Sequence, residues 1–396
     1  MCIVKRLISY ARTMVLIFPM VLSACSSNAV QSDIEMSLYA SLNDFRNRLS
    51  VPGITAAIVF DDGREAAAAV GFADLETLLP MRSETPMLAA SIGKTFVAAT
   101  ILSLASEGKV ALDAKVASYL PADTWFSQLP NADVMTIRHL LTHSSGLPDH
   151  LNDVDFLRAF PQRVRLDEDP FTQEELLGFL LDKPALFPAG EGWSYTDTGY
   201  ILLGLLIERV TGQAWTKQVE VRFLKPLELT STKPSNHKDL VDLAAGYLAV
   251  ENPYGLPVKT VGGSGEMLWN PAIESAGGGF MSTSLDLARW GDALYRGLAL
   301  PQEMSEELLS AVPMTSDDPT SLYGAGVSIV NTSEFGLVYG HAGHIPGYVS
   351  SLRHYPEFGA TVAFQINTDI GLTDGPDNPV GELEQELART AKQWSK

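Results

Sequence analysis

The chain has 396 residues, of which 46% are apolar and 19% charged, and its 28 basic against 47 acidic residues give a net charge of −19. Such a surface repels nucleic acid and anionic lipid, which excludes a nucleic-acid backbone binder and a basic membrane-surface module. The sequence carries no internal repeat or low-complexity tract, and its apolar content is that of a globular chain rather than a disordered one.

At the N-terminus, Lys5, Arg6 and Arg12 precede an almost wholly apolar segment, Met14 to Leu22, which runs into Leu22-Ser23-Ala24-Cys25. This order reads as a secretory signal peptide over residues 1–24, with an apolar core too short to span a bilayer. The Leu-Ser-Ala-Cys tetrad resembles the bacterial lipobox. That resemblance implies lipidation at Cys25 and a cell-envelope location; Ser26 after the cysteine implies the outer membrane, facing the periplasm. Membrane attachment then comes from acyl chains, because removal of residues 1–24, with three basic and no acidic residues, takes the net charge from −19 to −22. Cys2 leaves with the peptide, so the mature chain retains one cysteine and no internal disulfide. Residues 25–33, small and polar from Ser26 to Ser32, read as a lipidated tether. The remaining domain, 34–396, exceeds the usual size of a single core and suggests two lobes.

Ile34 to Leu49 reads as an amphipathic helix, with Leu38, Leu42, Phe45 and Leu49 on one face, ended by Pro52-Gly53. Ile54 to Phe60 and Glu65 to Phe72 read as strands joined by Asp61-Asp62-Gly63, a hairpin signal. From Pro86 to about Leu309 the pattern turns helical, most clearly over 91–107, 172–181, 198–211 and 284–296. Thr172 with Glu175 and Thr283 with Asp286 have the spacing of capping boxes. Strands return at Ala325 to Val330, Leu337 to Gly340, Tyr348 to Tyr355 and Thr361 to Asn367, and a helix from about Gly381 to Trp394 closes the chain. The fold class expected is α/β of the α+β kind: an antiparallel sheet built from both chain ends with flanking helices (34–84 and 320–396), plus an inserted helical lobe (85–319). A cleft is expected between the lobes.

Within that lobe, Ser91-Ile92-Gly93-Lys94 opens the apolar run Thr95 to Leu104, which stops at Glu107-Gly108. A serine and a lysine three positions apart share one helix face, so the ammonium sits beside the hydroxyl. A serine is activated by an adjacent proton acceptor and by the positive end of a helix dipole, which makes the pair a candidate nucleophile and base.

Four further motifs follow in order: L-L-T-H-S-S-G-L-P at 140–148, F-P-A-G-E-G-W-S-Y-T-D-T-G-Y at 187–200, G-G-G-F-M-S-T at 277–283 and G-H-A-G-H-I-P-G-Y at 340–348. With Ser-Ile-Gly-Lys, they resemble the class C β-lactamase-related family, which includes class C β-lactamases, DD-carboxypeptidases, D-amino-acid peptidases and serine esterases. The resemblance covers about Asp44 to Asn367. It implies the serine β-lactamase/DD-peptidase fold, Ser91 as nucleophile, Lys94 as its lysine and Tyr195 as the tyrosine that shuttles a proton between serine and leaving group. A phenol is a poor base at pH 7, so Tyr195 needs Lys94 nearby. By the same resemblance, His341-Ala342-Gly343 stands where β-lactamases carry Lys-Thr-Gly, and the backbone amides of Ser91 and His344 form the oxyanion hole. Position 197 departs from the commoner asparagine. Asp197 is expected either to cap the helix that follows or to hold Lys94 as an ammonium. Histidine at 341 offers a weaker fixed charge to a substrate carboxylate than lysine does; the alternative is a hydrogen-bonded structural histidine.

His139 and His143 are four apart, but no glutamate follows His139, and no metal or cofactor is expected. The absence of G-x-S-x-G excludes the nucleophile elbow. Trp193, Trp269 and Tyr323 are candidates for cleft lining or for core, and loops 149–171 and 247–275 for specificity. The expected function is hydrolysis of an amide or ester through an acyl-enzyme on Ser91, on a D-amino-acid peptide or small ester. The alternatives are a β-lactamase and an inert envelope-binding lipoprotein.

Overall fold

A computed structural model describes residues 18–120, 125–315, 318, 320–373 and 378–395. Most of the expected signal peptide, residues 1–17, and the Cys25 side chain lie outside the described residues. Among the described residues no helix is long and apolar enough to cross a membrane.

The first helix, α1 (Phe18–Leu49), starts well before Ile34, so residues 25–33, expected as an irregular tether, are helical. The reason is in the sequence: between Met20 and Val51 there is no glycine or proline to end a helix. Its Ile34, Leu38, Leu42 and Phe45 are buried along one face. They pack with Leu383, Leu387, Ala388 and Ala391 of the closing helix Pro379–Trp394 onto one face of the sheet.

That sheet has nine antiparallel strands among the described residues. Inside it, third from one edge, lies β1 (Gly53–Phe60), flanked by β2 (Glu65–Asp74) from the same end of the chain and by Ala360–Ile366 from the other. Ile54 stands opposite Ile366 and Phe60 opposite Ala360, so the two chain ends close one sheet. Both faces of β1 are covered, and its whole length is buried. The turn 61–63 closes as expected, with Gly63 at φ 86° and its N–H donating to the Phe60 carbonyl.

On the opposite face lies the helix Ser284–Tyr295, read from sequence as part of the inserted lobe. Gly291 lets it approach closely, since a Cβ there would stand 2.6 Å from Leu352 Cδ1. The segment 149–171, expected as a loop, contains the helix Val154–Arg165. Asp153 caps it through the Asp155 and Phe156 amides, and Phe156 and Phe160 bury one face despite Pro161.

Three elements position the site. Helix α2 (Gly93–Ser106) runs through the core with its N-terminus at the cleft. Helix α3 (Asp197–Thr211) packs beside it, and strand β3 (Gly336–Ile345) carries the 340–345 motif.

Candidate active site

Ser91 lies in a 3₁₀ turn, Ala90–Ile92, that feeds directly into α2. Ala90 is held at φ 51°, a left-handed conformation that costs a non-glycine residue about 1–2 kcal/mol and presents Ser91 at the corner. Gly93 makes the corner possible from behind: a Cβ there would stand 1.9 Å from the Gly278 carbonyl oxygen. The three-glycine turn at 277–279 therefore packs its backbone under the nucleophile, and the Gly277 carbonyl accepts a hydrogen bond from Lys94.

Lys94 is fully buried one turn beyond Ser91, and its Nζ donates to Ser91 Oγ at 3.1 Å. It also forms an ion pair with Asp197. Burial alone would depress the lysine, yet the Asp197 carboxylate and Tyr195 more than offset this and hold it above its ordinary value as an ammonium. Asp197 is the first residue of α3 rather than its cap. Thr196 has the extended backbone of a cap, and its hydroxyl accepts from the Thr198 amide. The Asp197 carboxylate is thereby released toward Lys94.

Tyr195 precedes this cap, and its hydroxyl is buried without a well-formed hydrogen bond. Burial pushes the phenol up to about 12, with Lys94 working against the shift and Asp197 adding to it. The Lys94 ammonium lies 4.9 Å from the Tyr195 ring centroid.

Strand β3 completes the wall. Gly340 pairs with Ser328 on one side, whereas residues 341–345 pair only with Tyr348 to Leu352 on the other, leaving that edge unpaired by any strand. Gly343 sets the approach to the nucleophile segment, since a Cβ there would stand 2.4 Å from the Ala89 carbonyl oxygen. His341 is buried, with Nε2 against the Tyr323 hydroxyl at 2.7 Å and Nδ1 against the Ala342 carbonyl at 2.5 Å. Burial, then Lys94, pushes it down to about 3. The ring is thus neutral, and it supplies no fixed charge of the kind weighed from the sequence. The His344 side chain faces Asp369 at 3.3 Å, away from the nucleophile.

These groups line one cavity of about 520 Å³, shared by Ser91, Tyr195, Asp197, His341, Gly343 and His344. Trp193, Trp269 and Tyr323, left open between cleft and core, all line it, with Phe156, Phe160 and Tyr254. Two acids unmarked by any sequence pattern join them. Burial, then the Asp197 carboxylate, pushes Asp149 up to about 7. Burial likewise pushes Glu274 up to about 8, with Asp197 contributing and its bond from the Gly279 amide opposing. The only sequence hint of Asp149 is that it directly follows the 140–148 motif.

The two histidines with metal-like spacing are otherwise engaged. His139 Nδ1 accepts from the Thr136 amide in a capping box, and His143 sits in a turn at φ 57° between Thr196 and Tyr323. Among the described residues no group of three or more metal-binding side chains is assembled.

The chain is similar to several known proteins. Penicillin-binding protein 4* of Bacillus subtilis (strain 168) is 27% identical over 308 residues, covering 76% of this chain and 64% of that protein. Esterase EstB of Burkholderia gladioli is 34% identical over 163 residues, covering 40% of this chain and 41% of the esterase. The chain thus spans less than two thirds of the length of these relatives. Among solved structures, the D-amino acid amidase from Ochrobactrum anthropi SV3 complexed with L-phenylalanine amide superposes with a TM-score of 0.76 at 25% identity, over 92% of this chain and all of that one. A D-stereospecific amidohydrolase from Streptomyces sp. gives 0.74 at 26% identity, over 91% of this chain and 98% of that one. The family model described as Beta-lactamase matches residues 42–386, nearly the whole described domain, and the chain belongs to that family.

Proposed function

We propose that the protein is a serine hydrolase that cleaves an amide or ester through an acyl-enzyme on Ser91. The observation that carries this reading is the 3.1 Å contact between Ser91 Oγ and the buried Lys94 ammonium in a cavity also lined by Tyr195. Ser91 Oγ attacks the substrate carbonyl carbon while its proton passes to Tyr195 Oη. Tyr195, protonated at rest, takes that proton only as it passes its own to the departing amine or alkoxide, so the phenol relays one proton and ends the step unchanged. Lys94 stabilises the developing serine alkoxide and favours ionisation of Tyr195. The Ser91 amide and the His344 amide on the open β3 edge receive the oxyanion; two such donors contribute roughly 3 kcal/mol or more. Water then releases the acyl group by the reverse route.

The charge of the cavity bears on substrate. Among the described residues the lysine or arginine lining it is Arg353, paired with Glu384 at 3.0 Å, and the nearby Lys94, buried against Ser91, is paired with Asp197. Neither is free for a substrate carboxylate, and His341 is neutral. Asp149 and Glu274, by contrast, are acids held largely protonated near pH 7 by burial and by Asp197, and a substrate ammonium beside them would draw them into ionisation. We therefore assign the enzyme to acyl donors with a free amino group and an apolar or aromatic side chain, amino-acid amides or esters, in keeping with the D-amino acid amidase and the D-stereospecific amidohydrolase of similar fold. D-phenylalanine amide, its N-acetyl derivative, a peptide ending in D-alanine and a penicillin, compared at equal concentration, test this. The free amine is expected to be the best substrate and the carboxylate-bearing compounds the poorest. Equal rates for the amine and its N-acetyl form would remove the ammonium preference, and no turnover beyond the Ser91→Ala background would remove the hydrolase reading.

Asp197→Asn tests the electrostatics. Asp197 raises Lys94, Tyr195, Asp149 and Glu274 alike, so its neutralisation lowers all four. The acidic limb of the kcat/KM profile is accordingly expected to move to lower pH, by about one unit or more, whichever group sets it. A limb that stays in place would show that the Lys94–Asp197 pair does not govern ionisation in the site.

A further inference from the structure

A chain of hydrogen bonds runs behind the cavity from the helical lobe to the sheet. The Thr196 amide donates to His143 Nδ1 at 3.3 Å, and His143 Nε2 meets the Tyr323 hydroxyl at 3.1 Å. The same hydroxyl meets His341 Nε2 at 2.7 Å, and His341 Nδ1 meets the Ala342 carbonyl at 2.5 Å. Both ends of the chain are backbone groups with fixed roles, and they set its direction. Nδ1 of His143 accepts, so the hydrogen of that ring is on Nε2 and goes to Tyr323. Tyr323 then gives its own hydrogen to His341 Nε2. The hydrogen of His341 is left on Nδ1, facing a carbonyl that can only accept.

We propose that His143, Tyr323 and His341 form a directional positioning device that locks His341 in the neutral Nδ1–H tautomer and ties the Tyr195–Thr196 segment to the strand edge beside Ser91. His341 is therefore a positioning residue rather than a catalytic one. One nitrogen carries a hydrogen already committed to a carbonyl, and the other has its lone pair engaged by Tyr323.

The surroundings fit this assignment. His143 stacks within 4.3 Å of the Tyr195 ring centroid and 4.7 Å of Tyr323, so the chain spans the distance between proton shuttle and oxyanion strand. The charges acting on His341 are the ammonium of Lys94, itself paired with Asp197, and the guanidinium of Arg353, paired with Glu384; both cations oppose a second proton on the ring. The groups acting on Tyr323 are Tyr200, Tyr195 and Tyr295 and, last, the Asp197 carboxylate, which is paired with Lys94, whereas the His341 Nε2 meets the Tyr323 hydroxyl directly at 2.7 Å. At the position where β-lactamases carry the lysine of Lys-Thr-Gly, the device keeps the cavity wall uncharged.

The device bears on catalysis only if the hydrolase reading is right, but its test does not need turnover. Imidazole ¹⁵N–¹H correlation spectra of the full-length protein, with resonances of the seven histidines assigned by His143→Asn and His341→Asn, read each tautomer directly. The expected result at pH 7 is opposite neutral tautomers, Nε2–H for His143 and Nδ1–H for His341, with His341 unprotonated down to pH 5. An imidazolium or an Nε2–H ring at His341 would overturn the proposal. In Tyr323→Phe, His341 loses the donor to its Nε2, so an Nε2–H population is expected to appear beside the Nδ1–H form, while burial and Lys94 still keep the ring neutral. A His341 signal unmoved in that variant would also overturn it. If the variant fails to fold, the wild-type spectrum still decides, and absence of turnover would count against the hydrolase reading while leaving the tautomers as measured.

Discussion

Ser91→Ala is expected to abolish turnover while leaving the fold in place, a loss of about 10⁴-fold or more where an acyl-enzyme is obligatory. The structural cost is small because the Ser91 side chain is only partly buried and its hydroxyl accepts from Lys94, which has other partners. Lys94 keeps Asp197 and the Gly277 carbonyl when the hydroxyl is removed. Alanine also suits the 3₁₀ turn, so the thermal midpoint should stay within about 3 °C and the circular dichroism spectrum should not change. Intact-mass analysis with a phosphonate ester should give one adduct on the native protein and none on the variant. Residual hydrolysis at more than a hundredth of the native rate would move the nucleophile elsewhere, and a collapsed spectrum would make Ser91 a structural residue.

How far the sequence reached follows from the range of each signal. Ser91 and Lys94 were legible because a short spacing and a long apolar run fall in one local segment, and α2 forms there with both residues at its start. The central strands were legible from continuous apolar runs bounded by Gly and Asp, and Tyr348–Tyr355 has the expected limits. The cap of α3 was not. Thr196 and Asp197 are both good capping residues, and only the extended backbone at Thr196 decides between them. Asp149 and Glu274 were invisible for a different reason. Each acquires its character from burial beside Asp197, reached through packing of segments far apart in sequence, and no periodicity encodes that. Tyr323 was legible only as a candidate for cleft lining or core, because its further role rests on two histidines that the fold brings to its hydroxyl.

Lys94→Met separates chemistry from stability most sharply, because the same ammonium does both jobs. Methionine keeps most of the length of the side chain but removes the buried cation paired with Asp197. Breaking one side of a buried ion pair costs about 3–5 kcal/mol, since the remaining charge has no partner. Acylation should fall by about 10³-fold or more, as Ser91 loses its hydrogen-bond donor and Tyr195 loses the charge that eases its ionisation. A loss of activity alone would not tell catalysis from misfolding. The double variant Lys94→Met/Asp197→Asn does, because it removes the orphaned carboxylate together with the ammonium. Its denaturant midpoint is expected to recover much of the loss, whereas single-turnover acylation by a p-nitrophenyl ester should remain as slow as in Lys94→Met. Recovery of both would mean that Lys94 only neutralises Asp197 and that the proton leaves Ser91 without it; recovery of stability alone would place the ammonium in the chemistry, where its contact with the serine oxygen puts it.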